Sequence, residues 1–261
     1  MTAALLAVDD VSVNFGGVAA LRNVSFAVPA RRIVSVIGPN GAGKTTLFNV
    51  ITGFRKPTTG AVRIDGAAAL GLPPHQIARR GLVRTFQKTE VFPDLTVYEC
   101  TRIGLLNHAQ PGVLEVLFGS RKLTQFIDAA KTEVALILET VGLGRKAAHL
   151  ARELSYGEQR LLEVAVALAA RPRLILLDEP SSGLNAEESL RLADLIRRLR
   201  DQGMSVMLIE HNMNVVMSVS DTVVVLHHGE KIAEGRPADI GRDAAVVSAY
   251  LGRDWGQDAA G

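Results

Sequence analysis

Cysteine is almost missing from this 261-residue chain, where Cys100 stands alone. One thiol cannot close an intrachain disulfide, which excludes a disulfide-stapled module and makes a reducing compartment the simpler expectation. An excess of charge is missing as well. Lys and Arg number 29 against 27 Asp and Glu, a formal net charge of +2, so no broad cationic face awaits a nucleic-acid backbone and nucleic acid is not an expected partner. Nowhere do about 18 uncharged apolar residues follow one another, so no segment is expected to cross a membrane by itself. Residues 1–10 lack the basic-then-apolar pattern of a secretory leader. No internal repeat or low-complexity tract is evident. What is present, at 48% hydrophobic residues, suffices for one large core with room for an inserted lobe.

The most informative segment is Gly38-Pro39-Asn40-Gly41-Ala42-Gly43-Lys44-Thr45-Thr46, entered directly from the apolar stretch Ile33–Ile37. A buried strand feeding a Gly-rich loop and then a helix predicts a phosphate-binding loop. Glycines permit the tight bend and let backbone N–H groups approach phosphates. Lys44 can neutralise β/γ charge, Thr45 can offer a hydroxyl to Mg²⁺, and the helix N-terminus adds its dipole. The expected ligands are therefore a nucleoside triphosphate and Mg²⁺. An ordinary Gly-rich turn is the bland alternative; the strand before and the helix pattern after weigh against it.

Two further apolar runs end in polar groups: residues 174–177 before Asp178 and Glu179, and 206–209 before Glu210 and His211. Read as neighbouring parallel strands, all three deliver their polar ends to one edge, where ligands sit in open α/β sheets. Asp178 is then a candidate Mg²⁺ contact, Glu179 a group to polarise an attacking water, and His211 a γ-phosphate contact. Residues 205–226 alternate strand, helix and strand, as a βαβ unit requires. Residues 5–15 and 24–28 instead alternate apolar and polar positions, which predicts antiparallel strands with one solvated face. The predicted fold is α/β: a P-loop NTPase core with a mostly parallel sheet, an N-terminal antiparallel β region and an inserted helical subdomain at about 95–170, all within one domain spanning 1–261.

Within that insertion, 126–141 reads as a helix, and Pro111-Gly112 and Gly119-Ser120 as breaks. Ser155 reads as the N-cap of a helix over 158–170, a second helix terminus suited to phosphate. A later helix, 186–200, gathers Leu192, Leu195, Ile196 and Leu199 on one face, with acidic residues early and Arg197, Arg198 and Arg200 late, a solvated arginine cluster complementing the helix dipole. Residues 253–261 read as a frayed end.

In their order, these motifs resemble the ATP-binding cassette family, the ATPase subunits of ABC transporters. The resemblance spans nearly the whole chain: Gly38–Thr46 matches the Walker A motif, Gln87 the Q-loop, Leu154-Ser155-Tyr156-Gly157-Glu158-Gln159 the signature, 174–179 the Walker B motif with its catalytic Glu179, and His211 the switch histidine. It implies the ABC ATPase fold, nucleotide contacts from Phe15 (stacking on adenine), Gly38 through Thr46, Ser155, Gly157 and Glu158, metal contacts from Thr45, Gln87 and Asp178, and catalytic roles for Glu179, His211 and Gln87. Ser182-Gly183-Leu184-Asn185 takes the D-loop position, with Asn185 where an aspartate is common. It further implies a second ABC ATPase subunit completing each site, transmembrane permease subunits docked near Gln87 and Phe92, an extracytoplasmic solute-binding protein, and a place on the cytoplasmic face of the membrane. Phe15-Gly16-Gly17, Arg84-Thr85-Phe86-Gln87, the Leu-Ser-Tyr-Gly signature, Ile209-Glu210-His211-Asn212-Met213 and Ala249-Tyr250-Leu251-Gly252 look most like branched-chain amino-acid importer subunits. Cassettes for urea, for export of lipid or polysaccharide, and for non-transport work on ribosomes or DNA share the motor chemistry and stay open as alternatives.

Overall fold

A computed structural model describes residues 4–85, 92–105 and 121–251. The N-terminal alternation folds into antiparallel strands, the second starting six residues before the alternation suggests: β1 (Ala4–Phe15) and β2 (Val18–Pro29) form a hairpin whose last pair is Phe15 opposite Val18. The two-residue turn is Gly16-Gly17, both at positive φ, the geometry that matches strand twist in tight hairpins. On the other side of β1 lies β4 (Thr59–Ile64), followed by the short β5 (Ala67–Ala68), giving a four-stranded antiparallel sheet in the order β2-β1-β4-β5.

The second sheet has six strands in the order β10-β9-β3-β8-β7-β6. Its members β3 (Ile33–Ile37), β6 (Leu82–Arg84), β7 (Leu174–Asp178), β8 (Ser205–Ile209) and β9 (Thr222–His227) run parallel, and β10 (Glu230–Gly235) closes one edge antiparallel. Every residue of β3, β7 and β8 is buried, because both faces of a parallel sheet are covered and its strands must be apolar throughout. Their side chains divide between the two faces: Val34, Val36, Leu174, Leu176, Met207 and Ile209 join one core with the antiparallel sheet, whereas Ile33, Ile175, Leu177, Val206 and Leu208 join a second core beneath helices. The first core also holds Leu47, Phe48, Val50 and Ile51 of α1 (Lys44–Ile51), so the helix after the Gly-rich loop lies between the two sheets.

After α2 (Pro74–Arg79), the described residues between β6 and β7 are helical: α3 (Val97–Leu105), α4 (Arg121–Val141), two 3₁₀ turns, Gly144–Lys146 and Ala151–Glu153, and α5 (Tyr156–Ala169). Helix α4 starts five residues before the periodicity suggests, and α5 two. The breaks expected at Pro111-Gly112 and Gly119-Ser120 lie outside the described residues, as does the end at 253–261. In α6 (Ala186–Asp201) the stripe Leu192, Leu195, Ile196 and Leu199 is buried as expected. Helix α7 (Met213–Val219) links β8 to β9, two parallel strands that both pair with β3. The chain ends its described part in α8 (Pro237–Ile240) and α9 (Ala244–Leu251). Among the described residues, no helix is long and apolar enough to cross a membrane.

Candidate nucleotide site

Because β3, β7 and β8 are parallel neighbours, the loops leaving Ile37, Asp178 and Ile209 emerge on one edge of the sheet. The loop after β3 is shaped by its glycines. At Gly38 an added Cβ would sit 2.2 Å from the Leu226 carbonyl oxygen, so only hydrogen fits between the loop and β9. Gly43 has φ +101, and its Cβ would lie 2.7 Å from both the Ala20 oxygen and a Leu21 methyl. Gly43 also stands at the N-cap of α1 without a capping side chain, and the first turn carries no acidic residue. The opening N–H groups of α1 therefore lack the carboxylate or hydroxyl that usually satisfies them. Thr45 is exposed and Thr46 half-buried on that first turn, while Pro39, Asn40, Gly41 and Ala42 form the bend before it.

Lys44 is 6% exposed. Its Nζ donates to the carbonyl oxygens of Gly38 (2.6 Å) and Pro39 (3.0 Å), closing the loop into a ring. Burial pushes its ammonium below the usual lysine value, and the carboxylates of Glu179 and Asp178 pull the other way. That mutual influence places both acids electrostatically close to the lysine.

Asp178, the last residue of β7, is 2% exposed. Its Oδ2 accepts from Arg84 Nη2 at 2.6 Å, and Arg84 Nη1 donates to Asn49 Oδ1 at 2.7 Å. Arg84, at the end of β6, thus ties α1 to the aspartate in a largely buried pair, and its guanidinium lies 5.5 Å from the Phe48 ring centroid. In the sequence Arg84 stands only within the Arg84-Thr85-Phe86-Gln87 string, and the apolar residues just before it are the local sign of a strand ending at this position.

Glu179 has φ +49, a left-handed conformation that costs a non-glycine residue strain and is held by its surroundings. The Glu179 N–H donates to the Ile209 carbonyl (2.9 Å), and its Oε1 lies 2.8 Å from His211 Nε2. The two loops are thereby brought together at a carboxylate–imidazole contact. Glu210 behaves otherwise than the sequence suggested. Rather than facing the ligand edge beside His211, its carboxylate is 2% exposed and turned inward onto backbone N–H groups. A side chain leaving a strand one position before an outward-facing residue points to the opposite face.

The signature segment forms a second N-terminus. Ser155 caps α5: its Oγ accepts from the Glu158 N–H (3.3 Å), and Glu158 Oε2 accepts from the Ser155 N–H (3.0 Å), a reciprocal capping box. Burial raises the Glu158 carboxyl, but hydrogen bonds from Lys146 and Ser155 outweigh it and hold the net value low. Asn185 and Glu188 build the same box at the start of α6. The two turns pack on each other, since a Cβ on Gly157 would meet the Glu188 carboxylate and one on Gly183 the Tyr156 ring. Ser155 is exposed and Gly157 buried. No hydrogen bond or ion pair among the described residues joins this turn to the loop at 38–46.

Phe15 ends β1 with 40% of its surface exposed, and the Arg55 guanidinium lies 3.7 Å from its ring centroid. Phe92 is 56% exposed. Gln87 and Phe86 lie outside the described residues.

A family model described as ABC transporter matches residues 21–182. The chain is also 42% identical to the high-affinity branched-chain amino acid transport ATP-binding protein BraF of Pseudomonas aeruginosa over 253 residues, 97% of this chain and 99% of BraF. The chain belongs to the ABC transporter ATP-binding subunits. A second model, described as branched-chain amino acid ATP-binding cassette transporter, matches residues 230–255. Among solved structures, the ADP conformation of MJ1267, an ATP-binding cassette of an ABC transporter, superposes with a TM-score of 0.83 at 30% identity, covering 96% of this chain and all of the other. The dimeric structure of MJ0796, a bacterial ABC transporter cassette, gives a TM-score of 0.74 at 26% identity, covering 89% and 98%. The fold is the ABC ATPase fold, as the motifs implied.

Proposed function

We propose that this chain is the ATP-hydrolysing subunit of an importer for small solutes, branched-chain amino acids by its similarity to BraF, acting through separate membrane subunits. The observation that carries the chemistry is the 2.8 Å contact of Glu179 with His211, on the same sheet edge as the loop that holds Lys44. In this reading the uncapped first turn of α1 receives the phosphates, and Lys44 exchanges its two loop carbonyls for phosphate oxygens. Phe15 carries adenine. Glu179 orients and polarises the attacking water, and His211 holds Glu179 and reaches the γ-phosphate. The hard oxygen donors Thr45 and Asp178, with Gln87, fit Mg²⁺, which takes few protein ligands beside phosphate and water. When bound, it supplies positive charge against the developing phosphate charge.

Ser155, Gly157 and Glu158 serve the opposite protomer. Among the described residues the Ser155 turn makes no hydrogen bond or ion pair to its own phosphate loop, and Ser155 itself is exposed; in this reading a second cassette, a copy of this chain or a similar one, completes each site. Membrane attachment is peripheral, on the cytoplasmic face, through permease subunits docked near Gln87 and Phe92, with an extracytoplasmic solute-binding protein delivering the cargo. Nucleic acid has no part in it. The segment 95–170 forms a helical subdomain within the single domain 1–261.

The test is Glu179→Gln in the full-length chain. Nucleotide affinity is expected to stay within about twofold while hydrolysis falls on the order of a hundredfold or more, because only the water-polarising group is lost. Turnover at the parent rate would overturn the reading.

A further inference from the structure

Among the described residues, Glu210 is a buried carboxylate at the sheet edge that the chemistry above leaves unused. It follows β8 directly, is 2% exposed, and has no Lys, Arg or His at ion-pair distance among the described residues. Its charge is met instead by backbone. Oε1 accepts from the Ser181 N–H at 2.7 Å, and Oε2 accepts from the N–H groups of His211 (3.0 Å) and Asn212 (3.2 Å). Three amides from two separate loops thus converge on one buried carboxylate and stand where water would otherwise bond it.

Where those amides come from is what matters. Ser181 belongs to the loop that begins with Glu179, whereas His211 and Asn212 belong to the loop after β8. One rigid carboxylate therefore spans both loops, and the span sets how far Glu179 stands from His211. Neither partner is well placed to fix the distance alone. His211 is exposed on its own loop, and Glu179 sits in a strained backbone conformation that persists only if neighbours over-determine it. Bolting the backbone on either side of the pair does so.

We propose that Glu210 is a positioning residue for hydrolysis: by clamping the Ser181 amide to those of His211 and Asn212, it holds Glu179 and His211 in contact. This rests on the roles given to those two residues above. A shortened or neutral side chain leaves the phosphate loop untouched, so nucleotide binding and hydrolysis part company.

The experiment compares the full-length chain with Glu210→Gln and Glu210→Asp, at a protein concentration where the rate per chain no longer depends on dilution, and repeats Glu210→Gln in a His211→Ala background. With one charged acceptor set weakened, kcat is expected to fall about tenfold or more, while KM for ATP and the Kd for MgADP stay within about twofold. In the His211→Ala background the same substitution is expected to change kcat by less than about twofold, because residues acting as a unit are not additive. A kcat within twofold of the parent, a matching loss of MgADP affinity, or an undiminished effect without His211 would each overturn the clamp. Should Glu210→Gln fail to fold, Glu210→Asp and amide exchange in the parent chain decide: the Ser181, His211 and Asn212 amides are expected to exchange slowly and together, and exchange as fast as in exposed loops overturns the proposal. Normal turnover of Glu179→Gln sinks the underlying reading; a dead Glu179→Gln beside a fully active Glu210→Gln sinks only the clamp.

Discussion

Lys44 occupies a position that costs stability in order to be useful. Buried and bound to two carbonyls of its own loop, its ammonium is depressed below the ordinary 10.5 by lost hydration, more than the nearby acids restore. The charged form is thus disfavoured on folding, and the chain's stability rises with pH between the depressed value and 10.5, where the unfolded state binds more protons. Nucleotide affinity follows the opposite course. It is expected to fall as pH climbs through the depressed value, earlier than an unperturbed lysine would dictate, because a neutral amine no longer attracts phosphate; MgATP titrations across alkaline pH read this directly. Gly38 makes a second prediction at the same scale. With the Leu226 carbonyl 2.2 Å from any Cβ, Gly38→Ala must push β9 or the loop aside, at a cost on the order of 3 kcal/mol in denaturant unfolding and with loss of nucleotide binding. Glycine here is legible in the sequence as a loop former, but the close approach of β9 is not, since 188 residues separate Gly38 from Leu226.

At the scale of elements, two helices begin with the same device. In α5 and α6, Ser155 with Glu158 and Asn185 with Glu188 close reciprocal capping boxes. This gives Asn185 a local role: its side-chain oxygen accepts from the Glu188 N–H at 2.9 Å. Asp and Asn cap about equally, so Asn185→Asp is expected to leave stability within about 0.5 kcal/mol and Asn185→Ala to cost about 1 kcal/mol, measured by urea unfolding. Glu158 adds a pH signature. Because its folded carboxyl is held below the ordinary 4.5, its contribution is present above 4.5 and is lost as pH falls through the depressed value. Glu158→Gln is therefore expected to flatten part of the acid side of the stability profile, a small effect because the group is partly solvated. Both caps were foreseeable at Ser155, where a hydroxyl residue precedes an apolar period with Glu three positions on, and at Asn185 by the same rule. The packing of one turn on the other through Gly157 and Glu188 was not, because it joins segments that α5 and β7 separate in the chain.

For the whole molecule, the reading predicts an enzyme that is incomplete as a monomer. Dilution of the full-length chain is expected to lower the ATPase rate per chain, and affinity purification from detergent-solubilised membranes is expected to recover multi-span partners; rates indifferent to dilution, together with recovery of ribosomes or DNA alone, would contradict it. The division between what was readable and what was not follows from the range of the forces involved. Composition, the Gly38–Thr46 loop, the three apolar strands with their polar ends and the alternating N-terminal hairpin are written locally, because backbone conformation, strand burial and phosphate chemistry depend on neighbouring residue types. By themselves they determined an α/β phosphate-binding core and its family. The tertiary structure alone decided that β8 lies between β3 and β7, that Arg84 reaches Asp178 and Asn49, and that Glu210 turns inward to bind Ser181, His211 and Asn212. Those outcomes depend on which face of each strand is buried and on hydrogen bonds between residues far apart in the chain, and such bonds form only once the sheet has set their distances.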